Sequence, residues 1–152
     1  MPEDDNEQRS AVEVIDGHFR ALIESLDRLA ERTSAELLYR RPPQITIGEN
    51  ILRSAACLEQ VFGGLTANLW DDPFEWTLPE ALSTTERIRE YIGEVNKVRV
   101  DLFAHLGDEA LLKLVSSPTG EQKTIIDLLL ESLIASSDYR GRAIVTSKLL
   151  RL

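Results

Sequence analysis

The chain has 152 residues, 43% of them hydrophobic and 28% charged, with a formal net charge of -9 and a pI near 4.7. That length suits one domain, residues 1–152, able to bury roughly two thirds of its unfolded surface. The acidic balance argues against a surface that grips the phosphates of DNA or RNA, so no nucleic acid is expected as a partner. No apolar window approaches the roughly 20 residues of a membrane span, so no membrane partner is expected either. The acidic N-terminus lacks the basic and apolar regions of a signal peptide. A single cysteine, Cys57, leaves no internal disulfide and fits a reducing compartment, which makes a cytoplasmic protein the expectation.

From about Glu7 to Arg32 the apolar residues Val12, Ile15, Phe19, Leu22, Ile23, Leu26 and Leu29 step by threes and fours. This spacing predicts a long amphipathic helix, preceded by residues 1–6, whose acids Glu3, Asp4 and Asp5 suggest a frayed end. Gly17 in its middle lowers helix propensity and points to a close helix contact. Ser34 to Tyr39 reads as one short turn, and Arg40-Arg41-Pro42-Pro43 as an extended path.

Thr46-Ile47-Gly48-Glu49 is a capping box, opening a second helix with Ile51, Leu52, Ala55, Leu58, Phe62, Leu65 and Leu69 on one stripe. Small residues Ala55, Ala56, Gly63 and Gly64 would admit a close neighbour. Asp71 to Leu82, with Pro73 and Pro79, reads as a loop tucked onto the bundle by Phe74 and Trp76.

Ser83-Thr84-Thr85-Glu86 reads as a second capping box before Ile88, Ile92, Val95, Val98, Leu102 and Leu106, with Gly107 as a left-handed stop. Asp108 to Leu112 adds a turn, and Ser116 to Gly120 is a turn-rich link. Thr124 can cap the last helix, in which Ile125, Leu129, Leu133, Ile144 and Leu149 sit near helical spacing. That helix is interrupted by a polar knot, Ser136-Ser137-Asp138-Tyr139-Arg140-Gly141-Arg142. Polar groups on a core-facing helix cost stability unless partnered, so the knot is the candidate site. Four long helices with long connections between the first and second and between the second and third imply an all-α four-helix bundle. Apart from an ambiguous patch at 44–47, no strand is expected.

Two segments then carry a resemblance. Ile45-Thr46-Ile47-Gly48-Glu49-Asn50-Ile51-Leu52 resembles the opening of the second helix of the DinB-like (YfiT-like) four-helix bundles. Leu133-Ile134-Ala135-Ser136-Ser137-Asp138-Tyr139-Arg140-Gly141-Arg142 resembles a segment of their last helix, and Glu75-Trp76-Thr77-Leu78-Pro79 fits before the third. The resemblance implies a homodimer and a divalent metal such as zinc or nickel, held by three histidines: one on the second helix and two spaced i, i+4 on the last. In members so equipped the metal stabilises a thiolate for thiol-dependent transfer or isomerisation. Here the three positions are Arg53, Ala135 and Tyr139. Arg53 is a permanent cation, Ala135 has no donor atom, and Tyr139 would have to ionise. No metal and no other cofactor is therefore expected.

Two readings of the knot stay open. Arg53, Glu131, Asp138, Tyr139 and Arg142 could form a hydrogen-bonded polar patch in place of the metal cross-link, or a pocket for a small polar or anionic ligand. Arg140-Gly141 would be scaffold, with Arg140 reaching a carboxylate and Gly141 permitting close helix contact. His18 and His105 have no i+4 or nearby Cys/His partner, and His105 suits the C-terminal dipole of the third helix. Cys57, among Ala55, Ala56 and Leu58, reads as a buried small hydrophobe. The chain carries no Gly-x-Ser-x-Gly elbow, P-loop or Rossmann fingerprint. The expectation is a non-catalytic binding or interaction protein; the alternative is a metal-dependent thiol S-transferase or hydrolase-like enzyme with a rebuilt site.

Overall fold

Ser10 opens α1 (Ala11–Arg32) by accepting the backbone N–H of Glu13. The computed structural model describes residues 10–41, 45–76 and 81–150. The expected frayed end, the Pro42-Pro43 step and the Thr77-Leu78-Pro79 segment lie outside these, as does the side chain of Trp76. A second cap on α1 comes from far away in sequence: the Asp108 carboxylate accepts from Ala11 N at 3.2 Å and Val12 N at 3.0 Å. A carboxylate at a helix N-terminus satisfies orphan donors and complements the helix dipole.

A one-turn helix, α2 (Ala35–Leu38), leads to α3 (Ile47–Ala67), where both halves of the Thr46/Glu49 capping box are present. The helix stops at Asn68, which is left-handed (φ 55°). Leu69 therefore falls beyond the helix and is exposed, not on the core stripe expected of it. The 71–82 connection holds one turn of helix, α4 (Pro73–Trp76), with Phe74 half-buried against the core.

The next helix, α5 (Thr85–Ala104), is capped by Thr84, whose hydroxyl accepts from Arg87 N. The cap sits one residue later than the Ser83 start that the sequence suggested. Gly107 is not the left-handed stop: the helix ends at His105, and Gly107 (φ -96°) instead opens a 3-10 turn, Asp108–Ala110. His105 Nδ1 lies 2.9 Å from the Asp101 carbonyl, at the helix end where its ring was expected.

The turn-rich link is a small antiparallel hairpin, β1 (Leu114–Ser116) with β2 (Gln122–Thr124), in register Leu114↔Thr124 and Ser116↔Gln122. The sequence offered no alternating run there because each strand is only three residues long. Ile45 to Ile47, the one ambiguous patch, is not a strand. Thr124 then caps α6 (Ile125–Leu150) through Asp127 N at 3.2 Å.

Cross-helix contacts fix the directions. Asp16 meets Arg99 and Asp27 meets Arg89, so α1 and α5 are antiparallel. Ser54 meets Ser136 and Cys57 meets Ser132, so α3 and α6 are antiparallel, and they form the most extensive contact in the molecule. Glu59 meets Tyr91 and Phe62 meets Phe103, so α3 and α5 run the same way. The result is an up-down-down-up bundle of α1, α3, α5 and α6. Its centre is three rings, Phe19, Phe62 and Phe103, with centroids 5.2 to 6.3 Å apart. A Cβ built on Gly17 would meet nothing within 4 Å, which corrects the expected close contact. Gly64 does need its bare Cα, but its neighbour is the Trp70 indole rather than another helix.

Candidate functional site

The polar knot of α6 is divided by the helical rotation. Ser136 turns inward and is fully buried, as is Ser54 across from it on α3. Each hydroxyl reaches the carbonyl of the other serine, at 2.7 and 2.8 Å, and the two oxygens stand 2.8 Å apart. Side chains this short reach the opposite backbone only if the helices approach closely. This pair cross-links α3 and α6 one residue away from Arg53 and Ala135, and the sequence reading missed it. Its signal was a serine on the buried stripe of each helix.

The rest of the knot faces elsewhere. Asp138 and Arg142 form an exposed i, i+4 pair at 2.8 Å, and the Arg142 guanidinium lies 5.4 Å from the centre of the Tyr139 ring. Glu131 pairs instead with Lys123 of β2 at 2.9 Å. Arg53 stacks on the Phe74 ring, 3.9 Å from its centre, and its Nε is buried without a hydrogen-bond partner. Among the described residues no hydrogen bond or ion pair joins Arg53 to Glu131, Asp138 or Tyr139, so the expected continuous polar patch is not formed. Nor does Arg140 reach a carboxylate among the described residues. Its Nη1 donates to Ser25 Oγ at 3.2 Å, and its Nε is also buried without a partner.

Between α3 and α6 lies a pocket of about 210 Å³ lined by Cys57, Gln60, Val61, Trp70, Pro118, Leu128, Glu131, Ser132 and Ala135. Gln60 Nε2 donates to the Trp70 carbonyl at 2.8 Å, which ties the segment after α3 back to that helix. Cys57 is half-buried rather than fully buried, and its thiol is pushed up to about 11. Burial is the main cause, Asp72 adds to it, and Arg53 one turn away opposes it only weakly. At neutral pH this is a neutral thiol, a poor nucleophile and a poor metal ligand. Nearby, the Tyr91 hydroxyl donates to the Glu59 carboxylate, and burial together with that charge pushes the phenol strongly up. Tyr91 therefore acts as a fixed donor.

The donor set does not suit the metal that the resemblance implies. Arg53, Ala135 and Tyr139 supply no ready ligand, and among the described residues no group of three or more His, Cys, Asp or Glu could hold an ion. No model of a known protein family matches the chain, and no curated protein matches it significantly.

The serine pair yields a first expected result. Ser54→Ala and Ser136→Ala should each cost about 1 kcal/mol, the net worth of a hydrogen bond. Ser136→Leu should cost about 1–3 kcal/mol or more by overpacking a close helix crossing. Urea denaturation checks this: a Leu variant as stable as the Ala variant would show that the helices are not in close approach there.

Proposed function

We propose that the protein is a non-catalytic binding protein, a DinB-like bundle whose ancestral metal site is lost, which acts as a homodimer and holds a small polar or anionic ligand between α3 and α6. What carries the reading is the chemistry at those positions. Polar groups line the pocket, the Gln60 amide, the Ser132 hydroxyl and the Glu131 carboxylate that Lys123 pairs, and one turn before Cys57, outside that lining, the Arg53 guanidinium is held against Phe74 with a buried, unpartnered Nε. The Cys57 thiol beside them is not an activated nucleophile, because burial keeps it neutral at physiological pH. Mostly apolar walls with a few placed polar groups describe a binding pocket, and about 210 Å³ suits a ligand smaller than a typical drug. The alternative, a thiol transferase with a rebuilt site, would need a thiolate that burial here opposes. Among the described residues no helix is long and apolar enough to cross a membrane.

Trp70 lines the pocket and reports on it. Titration with short-chain carboxylates, butyrate to hexanoate, should change its fluorescence saturably, while the corresponding alcohols should bind at least tenfold more weakly. Arg53→Gln should erase that preference, and Ala135→Leu should block binding by filling the pocket. No saturation with any carboxylate would sink the proposal, as would Cys57 alkylation with a midpoint near neutral pH, which would favour the thiol enzyme.

A further inference from the structure

The outer side of α6 is built like an inner one. Ile125, Leu128, Leu129, Ser136, Ala143, Thr146 and Ser147 face the bundle. On the opposite side Leu130, Ile134, Val145 and Leu149 are 42%, 70%, 57% and 64% exposed. At 3.6 residues per turn these four lie along one face, about 28 Å from end to end. Large apolar side chains gathered on one helix face, and not scattered singly, mark a contact surface.

Their order says which contact. The four are spaced four, eleven and four residues apart, so the face reads the same in both directions about a point between Tyr139 and Arg140. One flanking pair of charges obeys the same mirror with opposite signs: Glu131 stands where reversal places Lys148. Gly141 mirrors Asp138, and a Cβ built on Gly141 would meet nothing within 4 Å. Around it lies a shallow depression lined by Ser137, Asp138, Gly141, Arg142 and Val145.

We infer that this face is a two-fold interface with a second copy of the chain, the two α6 helices crossing antiparallel about a point between Tyr139 and Arg140, with Gly141 of each copy beside Asp138 of the other. Leu130 then meets Leu149 of the other copy, and Ile134 enters the depression between Gly141 and Val145. Glu131 now pairs with Lys123 and gains Lys148 of the other copy as a second cation. The two Asp138 carboxylates come near the axis, each already neutralised by its own Arg142 at 2.8 Å. A closed two-fold requires a patch complementary to itself, and this palindrome supplies one. A glycine in mid-helix costs about 1 kcal/mol against Ala; here it leaves the backbone open to close approach.

The inference rests on the homodimer reading above and adds the face. In a Cys57→Ser background, Gly141→Cys should link covalently in high yield under mild copper-phenanthroline oxidation, whereas Glu90→Cys on α5 should not. Light scattering should give twice 17.1 kDa for the unaltered chain and half that mass for Ile134→Glu. A dimer that survives Ile134→Glu and fails to link at position 141 overturns the face but leaves the dimer. An unaltered chain that is monomeric at tens of micromolar overturns both, and one that sediments with phosphatidylcholine vesicles assigns the face to lipid instead.

Discussion

Replacing Phe62 with Ala is expected to cost about 3–5 kcal/mol, a large part of the stability of a domain this size. Phe62 is fully buried on α3 and meets Phe19 of α1 edge-on at 5.2 Å and Phe103 of α5 at 6.3 Å. Three helices therefore border the hole, and none can close it without opening its other contacts. The shift in melting temperature should be about 2–4 °C per kcal/mol, whereas Leu112→Ala, at a site 74% exposed, should stay within about 0.5 kcal/mol. Denaturant titration of both variants tests this, and a loss below about 1.5 kcal/mol for Phe62→Ala would mean that the centre collapses around the hole.

The second large effect is expected at an ion pair. The Arg99 side chain is 8% exposed; its Nη1 donates to the Asp16 carboxylate and its Nε to Asn96 Oδ1 at 3.0 Å. Asp16→Ala would leave a buried cation half-satisfied. A fully buried pair broken in this way costs about 3–5 kcal/mol, and because Asp16 is 31% exposed the expected loss is about 2–3 kcal/mol. The Asp27–Arg89 pair joins the same two helices through two hydrogen bonds, at 3.0 and 3.2 Å, but both side chains are open to water. Asp27→Ala should therefore cost less than about 1 kcal/mol. Equal losses at Asp16 and Asp27 would show that burial is not what separates these pairs.

Helix boundaries were legible wherever the signal was a hydrogen bond between near neighbours. Thr46 with Glu49 and Thr124 with Asp127 read directly, because cap and partner are three residues apart. The Ser83 start failed by one residue because Ser83 and Thr84 are both competent caps, and the helix uses Thr84. Gly107 misled because glycine serves many turns: the chain uses it to open the Asp108 turn, and Asp108 is needed to cap α1. The residues named for the candidate site on α3 and α6 are not brought into one cluster. Ala135 and Glu131 do border the pocket, whereas Asp138 and Arg142 turn outward and Arg53 stacks on Phe74. Leu149, placed on the core stripe by spacing alone, is 64% exposed because the core arc of α6 is narrower than its apolar content.

The sequence by itself determined the four long helices, most of their core stripes and two of the caps. These follow from the 3.6-residue period and from bonds spanning three or four residues, which neighbours encode. Only the tertiary structure decided how the polar residues were used. Ser54 finds Ser136 across 82 residues, Asp16 finds Arg99 across 83, and the Asp108 carboxylate reaches Val12 across 96. A polar residue in a helix is costly or useful according to what stands opposite, and that is set by the rotation and register of packed helices, to which local periodicity is blind.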